Sequence, residues 1–302
     1  MNLKNRLANK RQQPHIAQQP RQNKMTTPEE NSVDNEAIHW DQDISYGQYL
    51  DLEPLLACQN PASDEHDELL FIVIHQVSEL WIKLCLHEAH GAAAHIQEDN
   101  LRPAFKMLSR VSRIQEQLIK AWEVLVTMTP ADYASFRDSL GQSSGFQSYQ
   151  YREMEFLLGN KNAKLIEAHR SKPKHYQKLQ ESLHSPSLYD IVLQLLAKRG
   201  FSIPESKTQR DWSIPYTASS EVEAVWTEIY RNSEQHWDLY ELAEKLVDVE
   251  FNFQRWRFSH MKTVERIIGY RRGTGGTAGV NYLVKALDLQ FFPELWSVRT
   301  TI

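Results

Sequence analysis

Chain breakers are scarce in this sequence. Eleven glycines and twelve prolines are spread over 302 residues, too few to punctuate a chain of short strands, so long helices are expected. Cysteine is nearly absent. Cys58 and Cys85 form no Cys-x-x-Cys pair, which excludes a disulfide framework and fits a reducing compartment; both read as small hydrophobes. Excess positive charge is missing too. Thirty-four Lys and Arg stand against 39 Asp and Glu, a net charge of −5, which argues against nucleic acid as a partner. The longest uninterrupted apolar run, residues 69–74, is too short to span a bilayer, so no membrane partner is expected. The start of the chain has no secretory apolar region, and a cytoplasmic location is expected.

What is present is ordinary for a globular protein: 41% hydrophobic and 24% charged residues, with 8 Trp and 12 Tyr available for core, interface or cofactor lining. The length allows ample core. The first 24 residues hold six basic residues and no acidic one, among many Gln and Asn. They lack the amphipathic stripe of a transit peptide and read as a disordered extension. An acidic stretch begins at Met25, which reads as the true start or the end of an unfolded extension. The expected organisation is a flexible tail over 1–40 and a single helical domain over 41–302.

Apolar residues Leu70, Val73, Ile74, Val77, Trp81, Leu84 and Cys85 recur at helical spacing and predict a helix over 64–98. Another is predicted over 104–128. Thr129 and Pro130 start the next, which stops at Gly141. Further helices are predicted over 148–158 and 187–199, the second capped by Ser187 and stopped by Gly200. Residues 201–219 read as an irregular connector. Ser220 and Glu223 form a capping-box pattern, opening 48 residues without Gly or Pro, ~72 Å as one rod; a break, or an extension into an oligomer, is expected there. A last short helix is predicted over 281–289. No segment reads as a strand, so the fold class is all-α, a helical bundle with cofactor space between helices.

Four features carry chemistry. On a 3.6-residue period His260 shares a face with Phe253, Trp256, Val264 and Ile267. It reads either as a core histidine satisfied by a hydrogen bond or as an axial ligand of haem iron. His75 and Phe71 are i, i+4 neighbours in the apolar run Phe71-Ile72-Val73-Ile74-His75. Here the readings are a core histidine, or a polar group that accepts a hydrogen bond from a substrate N–H or acts as a base. Tyr133 and Arg137 project from one helical face, as solvated residues or as a carboxylate clamp beside Ser143-Ser144-Gly145. The loop 272–279 is glycine-rich but follows a helix and lacks a Walker ending. It is a mobile turn or a lid in which Thr274 hydrogen-bonds ligand. His87, Glu88, His90 and His95 do not form a metal motif and read as solvated.

With these residues in hand, the chain resembles the tryptophan 2,3-dioxygenase family of the bacterial type, in the tryptophan/indoleamine dioxygenase-like fold. The resemblance spans about residues 46–300. Tyr46-Gly-Gln-Tyr49-Leu50, Phe71-Ile-Val-Ile-His75-Gln-Val-Ser-Glu79-Leu-Trp81, Phe136-Arg137-Asp138, Ser143-Ser-Gly-Phe-Gln-Ser148, Glu155-Phe-Leu-Leu-Gly-Asn-Lys161, Phe258-Ser-His260-Met, Arg272-Gly-Thr-Gly-Gly276 and Phe291-Phe-Pro-Glu-Leu295 support it. It implies a haem b cofactor, ferrous when active, held by His260 with Trp122 on the haem side. It implies an indole pocket within residues 71–75, with Phe71, Ile72, Val73 and Ile74 lining it and His75 meeting the indole N–H. Tyr133 and Arg137 would bind the carboxylate, Thr274 the ammonium and carboxylate end, and Ser144 and Gly145 would line the pocket. It implies a homotetramer in which Tyr46, Tyr49 and Leu50 reach a neighbouring subunit. The substrates implied are L-tryptophan and O₂, and the product N-formyl-L-kynurenine. Two rival readings stand beside it: a helical haem-binding sensor or carrier without turnover, and an indole-processing haem protein of altered substrate choice.

Overall fold

A computed structural model describes residues 44–302 except Thr277. The basic tail, the change of character at Met25 and the boundary near residue 40 lie outside the described residues. The chain falls into two compact units, the first ending at Leu56 and the second covering residues 57–302.

The described part of the first unit holds α1 (Tyr46–Leu50) and α2 (Leu52–Leu56). Ser45 and Gln48 close a reciprocal capping box at the start of α1. Asp51, at φ 52°, ends it. Tyr46, Tyr49 and Leu50 are all exposed.

The second unit contains α3 (His66–Gln97), α4 (Leu101–Leu125), α5 (Pro130–Phe136), α6 (Tyr149–Leu158), α7 (Pro173–His184) and α8 (Leu188–Lys198). It continues with α9 (Glu205–Thr208), α10 (Ser220–Arg231), α11 (Trp237–Ile268), α12 (Val280–Leu287) and α13 (Pro293–Thr301). The described residues contain no strand. The centre is α4, packed against α3 on one side and α11 on the other. Its buried face runs through Leu108, Val111, Leu118, Trp122 and Leu125 at helical spacing. Smaller helices close the sides, and a satellite cluster of Phe156, Leu165, Ile166, Leu179 and Leu183 sits under α7.

Caps explain several boundaries. Thr129 and Ser187 each form a capping box, with Asp132 and Asp190. Ser220 does not cap: α10 begins at Ser220, and Ser219, its N-cap, makes no side-chain cap bond. The 48-residue stretch breaks at residues 232–236, where α10 gives way to α11. The helix expected over 281–289 runs from Val280 to Leu287. The sequence pattern missed α7, α9 and α13.

Two readings need correction. Glu88 is buried, not solvated: Arg110 Nη1 donates to it at 2.6 Å, so the charge is paired where burial alone would forbid it. His90 pairs with buried Glu153 at 3.2 Å. Second, α3 as a whole is long and apolar enough to cross a bilayer by length and composition, although its longest unbroken apolar run is not. Its apolarity runs nearly all round. One side packs on α4, while Leu69, Val73, Leu80 and Leu84 remain exposed.

Candidate active site

α3, α4 and α11 each bring aromatic or imidazole rings to one cavity of about 250 Å³. From α3 come Phe71, His75 and Ser78; from α4, Trp122; from α11, Trp256, His260, Val264 and Ile267. The period of 3.6 puts Trp256, His260, Val264 and Ile267 on one stripe. Tyr133 from α5, Ser144 and Gly145 from the following turn, and Thr274 from the glycine-rich loop also reach it. Residues that lie 199 positions apart in sequence, such as His75 and Thr274, therefore share one space.

His75 has a defined tautomer. Its Nδ1 lies 2.7 Å from the carbonyl oxygen of Phe71, and a carbonyl only accepts, so Nδ1 carries the hydrogen. Burial pushes the imidazole pKa below its ordinary value, against the opposing pull of the Phe71 carbonyl and the Glu79 charge. The neutral ring therefore keeps a bare Nε2, an acceptor. Phe71 packs on it with ring centroids 4.1 Å apart.

His260 is more strongly perturbed. Burial, with His75 as a second cationic site nearby, lowers its pKa to about 4. No protein group hydrogen-bonds to it among the described residues, and it faces the cavity rather than the packed core. Trp122 stacks on its face at 4.6 Å and 14°, and Trp256 lies 5.6 Å away. Face stacking leaves the in-plane nitrogen lone pairs open, which is the direction a metal ligand uses.

The rim is built from α5 and the loop after α11. Tyr133 is buried 6.0 Å from the Phe71 ring. Its hydroxyl pKa is raised by burial, with the Arg137 charge opposing. Arg137 is half-buried beside it and donates from Nη2 to the Arg272 carbonyl at 2.8 Å. Thr274 Oγ1 donates to the Ser143 carbonyl. A Cβ on Gly275 would stand 2.7 Å from the Cβ of Ser144, so only glycine lets the loop lie this close. The loop is thus seated on the clamp and on the 143–145 turn together.

Some expected residues are not brought here. Ile72, Val73 and Ile74 do not wall the cavity; one and two residues beyond Phe71, the helix has turned Ile72 and Val73 away. Ile74 enters the core and Val73 faces outward. Others were missed. Arg152 and Glu155 of α6 and Arg257 of α11 line the cavity at 3%, 2% and 3% exposure. Arg257 Nη2 donates to Glu155 at 2.8 Å, and Arg152 donates to the other oxygen of the same carboxylate. The signal was the set of charges within the short apolar helix α6, but sequence gives no depth.

The wall also tells what its guest must supply. Trp122 Nε1, Arg152 Nε, Trp256 Nε1 and Arg257 Nε are buried N–H groups without a partner, and all four residues line this cavity. Unpaired buried donors are costly. A flat apolar group bearing anionic acceptors, bound to iron that takes a neutral imidazole, fits this donor set.

Helical architecture and such a cavity define a class: a bundle protein with two imidazoles on a ring-lined pocket whose donors fit a metal-bearing prosthetic group. Residues 31–302 match the tryptophan 2,3-dioxygenase family, and the chain belongs to that family. It is 59% identical over 261 residues to a tryptophan 2,3-dioxygenase of Erythrobacter litoralis, covering 86% of this chain and 99% of that protein. It is 56% identical over 259 residues to tryptophan 2,3-dioxygenase 1 of Ralstonia nicotianae, covering 86% and 88%. With the enzyme of Cupriavidus necator the identity is 54% over 260 residues, again covering 86% and 88%.

Proposed function

We propose that this chain inserts both atoms of O₂ across the indole 2,3 double bond of L-tryptophan, giving N-formyl-L-kynurenine. The observation that carries the reading is the pair of imidazoles, His75 and His260, both neutral and both facing one cavity, with Tyr133 on its wall and Arg137 beside Tyr133. The family is haem-dependent, and the group read here is haem b with ferrous iron, held by His260 with Trp122 and Trp256 against it. When bound, it supplies the site at which O₂ is activated.

The protein's own residues do the rest. His75 Nε2 accepts the indole N–H and fixes the ring against Phe71. Its lowered pKa suits an acceptor better than a strong base. Arg137 exchanges the Arg272 carbonyl for the substrate carboxylate, a charge-assisted bond stronger than the one it replaces. Tyr133 adds a hydroxyl donor, and Thr274 meets the ammonium and carboxylate end. Ser144 and Gly145 shape the wall where the loop closes. Holding both ends of the amino acid converts an encounter into a reactive arrangement, and closing the loop excludes water.

Homotetramer assembly belongs to the same reading. The apolar stripe Leu69, Val73, Leu80 and Leu84 is left exposed on α3, and the exposed Tyr46, Tyr49 and Leu50 suit contact with a neighbouring subunit. A cytoplasmic location goes with it.

Purified, haem-loaded and reduced protein mixed with L-tryptophan and O₂ tests the proposal. Kynurenine-type absorbance appears if it holds. Loaded protein that binds O₂ but leaves tryptophan unchanged is the sensor or carrier instead. The clamp and the seated loop favour turnover, since a carrier has no use for either.

A further inference from the structure

The cluster of Arg152, Glu155 and Arg257 has one more cation than anion. Both oxygens of Glu155 are used: Arg152 Nη1 donates to one, while Arg257 Nη2 and the Tyr151 hydroxyl donate to the other at 2.8 and 3.1 Å. Both guanidiniums are nearly fully buried. Arg257 has other partners. Its Nη1 donates to the Ala286 and Leu289 carbonyls at 3.0 and 3.4 Å, and it lies over the rings of Phe253 and Phe291. Among the described residues Arg152 has Glu155 alone as its hydrogen-bond partner, with the rings of Phe146 and Tyr151 4.5 and 5.0 Å from its guanidinium carbon.

Among the described residues no other acid lies within ion-pair distance of these cations. Glu250, two turns before Arg257, feels the Arg257 charge but accepts from the Phe291 and Phe292 backbone N–H groups and from the Trp296 indole, with neither guanidinium within ion-pair distance. Glu79, across the cavity, accepts from Gln150 at 2.7 Å. A buried guanidinium sharing half of one carboxylate is poorly compensated. Its wall therefore calls for an anion delivered by the guest.

Position decides which anion. Arg257 precedes His260 by three residues, about 4.5 Å along α11, so the cluster stands beside the imidazole. The tryptophan carboxylate has its own seat at Tyr133 on α5 and Arg137 just after its end. We propose that Arg152 is the seat for a carboxylate side chain of the porphyrin, with Arg257 sharing Glu155 so that the donors of the Arg152 fork other than Nη1 are left to receive it. This rests on the haem reading above and adds to it a second point of attachment, separate from iron ligation.

The test is binding, not turnover. Full-length apoprotein is titrated with ferric haem and with ferric haem dimethyl ester, whose carboxylates are blocked, and the Soret band is followed. Wild type prefers haem to the diester by about 10- to 100-fold, as a charge-assisted hydrogen bond implies. Arg152→Gln erases the preference while still binding the diester. Its apoprotein melts no lower than wild type, because Glu155 and Arg257 then pair one to one. Arg152→Lys keeps the charge and restores part of the preference. Equal wild-type affinity for the two ligands overturns the proposal and leaves the haem reading standing. So does an Arg152→Gln protein that loses stability and binds both more weakly by the same factor. Wild type that takes up neither ligand overturns the haem reading and the proposal together.

Discussion

At the residue scale, the protonation of His75 makes a prediction about pH. Its pKa lies below the usual histidine value because burial disfavours the charged ring, and the Phe71 carbonyl and Glu79 only partly offset this. An indole N–H needs the unprotonated Nε2. Tryptophan affinity is therefore lost on acidification with a midpoint below the ordinary histidine value; a midpoint at or above that value in a binding titration contradicts the assignment. The same scale sets the role of Arg137. Arg137→Ala raises KM for tryptophan about 10- to 100-fold and leaves the Soret band of bound haem unchanged. An unchanged KM removes the clamp. The residue types of the site were legible in the sequence as His75, Tyr133, Arg137, His260 and Thr274, but their convergence came from resemblance, since no spacing rule joins positions 75 and 274. Arg152 and Glu155 were illegible for a physical reason: a charge in a short helix is ordinarily solvated, and only the fold reveals that α6 is buried along most of its length.

Elements were legible where local chemistry sets them. Thr129 and Ser187 cap the helices that their side chains predict. The missed α7 has only Leu179 and Leu183 buried among many polar residues, so its pattern is weak, and tertiary contact with α6 supplies what the pattern lacks. The break between α10 and α11 has neither Gly nor Pro and could be expected only from length. The loop 272–279 is the element on which function turns, and Gly275 is its tightest point. Gly275→Ala places a methyl group against the Ser144 Cβ, where neither backbone nor a short side chain yields easily. The variant keeps its thermal stability, because the loop adds little to the core. It binds tryptophan about tenfold more weakly, the equivalent of about 1.4 kcal/mol of lost loop seating. A variant with unchanged affinity shows that the loop need not lie on the 143–145 turn during binding.

For the whole molecule, the informative residues are those α3 leaves in solvent. A helix apolar nearly all round is ordinarily buried all round, yet Leu69, Val73, Leu80 and Leu84 are 37–48% exposed. They recur at intervals of four, seven and four residues, which is one stripe of a helix. The stripe starts beside Phe71 and His75 on the opposite face of the same helix, so an assembly formed on it would hold the pocket wall from behind. In the proposed homotetramer this accounts for the bilayer-like composition of α3 without a bilayer: the second apolar face would meet another copy of the chain. The double substitution Val73→Glu and Leu80→Glu puts two charges into that contact and touches no cavity residue. In analytical ultracentrifugation it converts the proposed tetramer to smaller species at micromolar concentration, while each subunit keeps its helical circular dichroism. Because α3 is then supported on one side only, tryptophan binding weakens in step with dissociation and recovers as protein concentration rises. A double variant that stays tetrameric places the interface elsewhere and leaves the stripe on α3 without a partner.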